Sequence, residues 1–319
     1  MPGAHKLLTA GFINENTPVQ SITDPLIKDA GVNLLVKRED LNNQFLSGNK
    51  WHKLKYNLIE AKANGFSKLL TYGGAYSNHI YATAAAGRIF GFETIGIIRG
   101  EEHLPINHTL GFAKSLGMKL YYIDRKTYRQ KYDEELIKSF EKIFGRFYLI
   151  PEGGSNELAV KGIEEFISNI HINYDYVCCP CGTGGTLAGI IKGTKDESNV
   201  LGFSVLKGGE FLINNVKRFI HTNEGTSYSN WEINLNYHFG GYAKLNSELV
   251  AFIERFEKQN NIPIEPVYSG KMFYGIYDLI LKGYFKKGKT ILAIHTGGLQ
   301  GMEGMKEKIK KISKTRISN

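Results

Sequence analysis

The 319-residue sequence predicts an α/β protein whose open, mostly parallel sheet is covered by helices. Two observations carry this expectation. Strand-like apolar runs alternate with helix-period segments almost throughout the chain. In addition, three glycine-rich turns, GGAYSNH (73–79), CGTGGT (181–186) and HTGGLQG (295–301), each follow a predicted strand and precede a predicted helix. In an open α/β sheet that edge is where ligands bind, so all three turns are expected at one cleft. The length favours two lobes or a single large domain over one small core.

The elements follow in order. VNLLVKRE (32–39) reads as a strand. The segment after Lys50 reads as a helix with Trp51, Leu54, Leu58 and Ala61 on one face, stopped by Gly65. SKLLTY (67–72) is a strand, HIYATAAAGRIFG (79–91) a helix, TIGIIRG (94–100) a strand, LGFAKSLG (110–117) a helix and MKLYYID (118–124) a strand. A helix near DEELIKSFEKIFG (133–145), the strand FYLIPEGG (147–154) and the helix ELAVKGIEEFISNI (157–170) lead into the buried strand YDYVCCPCG (174–182). TILAIHTGG (290–298) closes the series, and no repeat or low-complexity linker marks a boundary.

Composition narrows the function. Hydrophobic content of 42% and 22% charged residues are ordinary for a soluble globular chain, and no stretch approaches the ~18 to 20 apolar residues of a membrane span. Residues 1–10 lack an apolar core of signal-peptide length, so a cytoplasmic protein is expected. Cys178, Cys179 and Cys181 have no second cluster to complete a zinc site or a disulfide framework; they read as small hydrophobes on a strand, and no metal is expected. The net charge of +9 is spread along the chain and concentrates only in the tail MKEKIKKISKTR (305–316), a solvated helix face, which argues against nucleic acid. Positive potential still draws in small anionic ligands.

SGNKWHKLKYN (47–57) places Lys50 at a helix start, where cations are disfavoured. The position fits a solvated charge, with Lys53 and Lys55 following, or an amine whose lowered pKa makes it a nucleophile toward a carbonyl. The turn GTGGT likewise fits a tight connection or a phosphate cradle of backbone N–H groups at a helix N-terminus. Its spacing is not the dinucleotide fingerprint, since Leu187 stands where the third glycine belongs, and the Gly-Lys at 270–271 precedes Met272, so no triphosphate loop is present. A phosphate cradle and an activated lysine are what pyridoxal 5'-phosphate requires, because its aldehyde condenses with an enzyme amine.

Five segments, KREDLNNQFLSGNKWHKLKYN, YGGAYSNHIYATAAAG, CGTGGTLAG, PVYSGKM and AIHTGG, together resemble the family of D-cysteine desulfhydrases and 1-aminocyclopropane-1-carboxylate deaminases, within the tryptophan-synthase β superfamily. The resemblance runs from about Thr17 to Gly301. It implies a pyridoxal-phosphate enzyme of fold type II: two lobes of open, twisted parallel sheet with helices on both faces, a large cofactor lobe from 1–50 and 158–319, a small lobe from 51–157, and a homodimer. It puts the Schiff-base lysine at Lys50. Ser77, where a helix cap is also expected, falls near the substrate carboxylate and reacting carbons, and Asn78 against the ring hydroxyl. Gly182, Thr183, Gly184, Gly185 and Thr186 match the phosphate cradle, and Tyr242 and Tyr268 the two active-site tyrosines, although FGGYAK departs from the family's usual surroundings. Ser269 is implied at the ring nitrogen, where the deaminases have Glu, and Thr296 stands where they have Leu. Both departures imply elimination of a β-substituent from a small amino acid, D-cysteine first. Cyclopropane opening, another elimination or replacement, and a silent pyridoxal-phosphate carrier are the alternatives.

Overall fold

The structure, a computed structural model, describes residues 12–221 and 227–317. Its strands form two sheets. Strands β1 (Val19–Ser21), β2 (Asn33–Lys37), β7 (Tyr176–Cys181), β8 (Asn199–Ser204), β9 (Trp231–Asn234) and β10 (Thr290–Ile294) make a six-stranded sheet in the order β1-β2-β10-β7-β8-β9. All its pairings are parallel except β1 with β2. Strands β3 (Lys68–Gly73), β4 (Glu93–Arg99), β5 (Lys119–Ile123) and β6 (Tyr148–Ile150) make a second, all-parallel sheet in the order β5-β4-β3-β6. The smaller sheet is thus continuous in sequence, and the larger one is assembled from both sides of it.

The central strands are apolar on both faces, as parallel strands between helix layers must be. Along β10, Ile291 and Ala293 enter the core that holds Phe256, Met272 and Phe273, while Leu292 and Ile294 enter the core that holds Ile163, Leu187 and Val216. The cysteines follow the same alternation: Cys178 faces the first core, Cys179 and Cys181 the second, and burial pushes all three thiols up. They pack as hydrophobes.

The helix Asn49–Ala63 buries Trp51, Leu54, Leu58 and Ala61 completely against the smaller sheet. Its opposite side is covered too, by the helix Glu157–Ser168, which approaches so closely that a methyl at Gly162 would collide with the His52 carbonyl. Lys53 and Lys55 are therefore buried on this helix, not solvated. Two segments differ from the sequence expectation. FYLIPEGG leaves the strand after Ile150, because Gly153 and Gly154 take positive φ (65° and 64°) in a short 3-10 turn. HTGGLQG passes, from its Leu299 onward, into the 3-10 segment Leu299–Met305 before the helix Lys306–Ile317 starts. Among the described residues no helix is long and apolar enough to cross a membrane.

Candidate active site

The three glycine-rich turns meet at one cavity of about 910 Å³. Asn49 ties two of them, HTGGLQG and CGTGGT, to Lys50. Its N–H donates to the Thr296 carbonyl (3.3 Å), its amide nitrogen donates to Thr186 Oγ1 (2.8 Å), and its Oδ1 accepts from Lys50 Nζ (2.8 Å). The contact demands glycine at 48, where φ is 70° and a methyl would overlap the Thr296 carbonyl. Lys50 lines the cavity, and burial lowers its pKa to about 8 against the attraction of Glu265. A lowered pKa favours the neutral form of the amine, the second of the two readings that its position allows.

Ser77 caps the helix Asn78–Phe90, its Oγ accepting from the Ile80 N–H (3.3 Å), and it also lines the cavity with Asn78. Asn78 lies against the HTGG turn: a methyl at Gly298 would sit 2.6 Å from its Nδ2. Gly182, Thr183, Gly184 and Thr186 line the same space, with Gly184 at φ 92° immediately before the helix Gly185–Thr194. Gly185 does not line it. Its close neighbour is Ser155, whose Oγ would be 2.8 Å from an added methyl, so this glycine serves packing between turns. Tyr242 and Tyr268 stand edge to face across the cavity wall with centroids 6.0 Å apart. Burial, reinforced by Tyr242, holds the Tyr268 phenol well above its ordinary value, so it remains a proton donor.

Thr296 lines the cavity but Ser269 does not. Ser269 is fully buried behind Tyr268, its Oγ accepting from the Glu265 N–H (2.9 Å) and lying 3.2 Å from Glu265 Oε1. Glu265 caps the helix Ser269–Leu281, accepting from the N–H groups of Val267 (2.7 Å), Tyr268 (2.8 Å) and Ser269 (2.6 Å). Burial nonetheless raises its pKa.

Comparison with known proteins bears on this geometry. The family described as pyridoxal-phosphate dependent enzyme matches residues 12–297. The chain belongs to the pyridoxal-phosphate dependent enzymes. It is 33% identical over 299 residues to a putative 1-aminocyclopropane-1-carboxylate deaminase of Pyrococcus furiosus, covering 89% of this chain and 90% of that one. It is 30% identical over 295 residues to the mitochondrial bifunctional D-cysteine desulfhydrase/1-aminocyclopropane-1-carboxylate deaminase of Arabidopsis thaliana, covering 85% and 74%. A crystal structure of a 1-aminocyclopropane-1-carboxylate deaminase homologue superposes with a TM-score of 0.82 at 29% identity, covering 98% of this chain and all of that one.

As a pyridoxal-phosphate dependent enzyme, the chain must offer an amine, a phosphate cradle and room for a ring, and these residues fit. The amine and the positive-φ turn at a helix N-terminus are described above. Two residues that sequence reasoning passed over complete the wall. Lys53 donates to the Gly153 carbonyl (2.5 Å) and to Ser155 Oγ (2.8 Å), which in turn meets Thr183 Oγ1 (2.6 Å). Burial, and then Lys50, lower its pKa well below normal, so its surroundings disfavour the charged form and an anion bound beside it would restore the charge. His79 is buried with its Nδ1 unpartnered, while Nε2 meets Thr71 Oγ1 (2.9 Å). Because that hydroxyl donates to the Ile150 carbonyl (2.8 Å), the imidazole must donate from Nε2, and Nδ1 is a free acceptor at the cavity wall. The i, i+3 spacing of Lys50 and Lys53 puts both on one helix face, the one signal that pointed to Lys53.

Proposed function

We propose that the protein is a lyase that removes a β-substituent from a small amino acid, D-cysteine first, releasing pyruvate, ammonia and hydrogen sulfide. The observation that carries the reading is the Lys50 amine, shifted to about 8, facing the CGTGGT turn and the Ser77 turn in one cavity. In this reading Lys50 anchors the cofactor, and as a free amine takes the proton from the substrate α-carbon; a pKa of about 8 leaves roughly a tenth of it neutral at pH 7. Gly182, Thr183, Gly184 and Thr186 receive the phosphate with Lys53 as counter-charge, and Asn78 faces the ring hydroxyl. Ser77 and its helix N-terminus receive the substrate carboxylate. Tyr268, held protonated, donates to the departing sulfur, with Tyr242 beside it. When bound, the cofactor supplies the electron sink for the charge left at the α-carbon. In this reading the lobe built on the six-stranded sheet holds the cofactor and the lobe built on β3 to β6 is the small one.

The choice of D-cysteine rests on Thr296, a neutral side chain of the cavity wall where the deaminases have Leu, and on Ser269, which stands where they have Glu but lies behind the wall against Glu265; a good leaving group needs only a weak sink, whereas opening an unactivated cyclopropane asks for a stronger one. The second reading, 1-aminocyclopropane-1-carboxylate deamination, is favoured by the names of several relatives and by the Glu265 carboxylate beside the Ser269 hydroxyl. A panel of D- and L-amino acids and the cyclopropane substrate, assayed for 2-oxoacid and for sulfide, separates the two. Sulfide from D-cysteine with little turnover of the cyclopropane supports the first, and the reverse order replaces it with the second.

A further inference from the structure

Lys271 is the buried cation that the chemistry above leaves unused. It is fully buried, yet it makes no ion pair among the described residues. It also occupies the first turn of the helix Ser269–Leu281, the positive end, where an ammonium is least welcome. An unpaired buried charge is retained only where its hydrogen bonds compensate. Here Nζ donates to three main-chain carbonyls: Gly241 (2.7 Å), His238 (2.8 Å) and, more loosely, Val205 (3.5 Å). Burial lowers its pKa to about 8 although Glu265 pulls the other way.

Two of those carbonyls belong to the loop that carries Tyr242. That loop has an improbable backbone: Phe239 (φ 52°), Gly240 (89°), Gly241 (116°) and Ala243 (55°) all take positive φ, and two of the four have side chains that disfavour it. Such a conformation persists only when its surroundings hold it. Tyr242 itself is 41% exposed and anchors to Tyr268, its aromatic neighbour and hydrogen-bond partner. Lys271 reaches the loop from below through two carbonyls, and the exposed Lys308 donates to the Ala243 carbonyl (2.9 Å) from outside. The third carbonyl, Val205, follows β8 and precedes the cavity residue Leu206, so one ammonium joins two segments of the cavity rim.

We propose that Lys271 is a positioning residue for the reaction: its ammonium, ringed by three main-chain carbonyls, fixes the loop that presents Tyr242 to the cavity, and a small cation can stand in for it. The inference rests on the reading that Tyr242 meets the substrate. The test uses the holoenzyme and the amino acid it turns over fastest in the panel above, in Lys271→Ala, Lys271→Met and Tyr242→Phe. Lys271→Ala should keep its borohydride-fixed cofactor, lose kcat/KM by about 100-fold as a displaced active-site group does, and exchange the 238–244 amides faster. Methylammonium or potassium chloride should restore part of the rate and slow that exchange. Lys271→Met, which fills the space without charge, should lose as much and recover nothing, and Tyr242→Phe should not respond to either salt. Unaltered amide exchange at 238–244 in both Lys271 variants overturns the proposal, as does a loss in Lys271→Ala that tracks cofactor content and ignores added cation. Full turnover in Tyr242→Phe instead overturns the reading of that tyrosine, while the exchange measurement still decides whether Lys271 holds the loop.

Discussion

Replacing Lys50 by Met should make the cofactor-free protein more stable at neutral pH. The amine is buried in the cavity wall, and its pKa falls from 10.5 to about 8 because desolvation outweighs the attraction of Glu265. At about 1.4 kcal/mol for each pH unit, that drop costs the folded state roughly 3 kcal/mol. The folded value is the depressed one, so the unfolded chain binds the proton more tightly. The cost is then fully present below pH 8, fades as pH rises from 8, and is gone above 10.5. The advantage of Lys50→Met should accordingly be about 3 kcal/mol at pH 7 and under about 1 kcal/mol at pH 10. Part of the pH 7 gain belongs to Lys53, whose ammonium Lys50 opposes. Urea denaturation of both cofactor-free proteins at the two pH values measures the difference directly. A stability difference that is the same at pH 7 and pH 10, or a destabilised Lys50→Met at pH 7, refutes the desolvation argument, and with it the account of why this lysine is reactive.

The remaining predictions concern the same cavity. Borohydride should fix the cofactor on Lys50, found by peptide mapping, and label on Lys53 or Lys55 contradicts the assignment. Gly184→Val should weaken cofactor affinity by about tenfold or more, read by titration, because a branched residue at φ 92° is strained by about 1–3 kcal/mol and meets Val216 at 3.2 Å. Ser269→Ala should cost about 1–3 kcal/mol in urea denaturation by depriving the Glu265 N–H of its acceptor. Ser269→Glu with Thr296→Leu places a second carboxylate beside buried Glu265, so one of the pair must take a proton. The double variant should lose D-cysteine turnover relative to cyclopropane opening, and an unchanged ratio of kcat/KM values removes Ser269 and Thr296 as the choosers of reaction.

How far the sequence reached can be judged residue by residue. Local signals were enough where the cause is local. Continuous apolar runs located β2, β3, β4, β7 and β10, and a period-3.6 pattern gave the buried face of Trp51, Leu54, Leu58 and Ala61, since backbone geometry decides which side chains of a helix share a face. The three glycine turns announced the cavity because glycine is needed wherever φ turns positive or backbones nearly touch, as at Gly48 and Gly184. What the sequence by itself determined is the set of elements, the turns at the strand ends and, through five ordered motifs, the family. What only the tertiary structure decided is the environment of each charge. Lys53 and Lys55 look in sequence like solvated lysines, Lys271 carries no signal of its own, and the resemblance puts Ser269 at the ring nitrogen, yet the three lysines are buried between packed helices and carbonyl-rich loops, and Ser269 is bonded to Glu265. Burial and the partner of a polar group come from residues distant in the chain, such as Gly153, Glu165 and His238, so no local pattern encodes them.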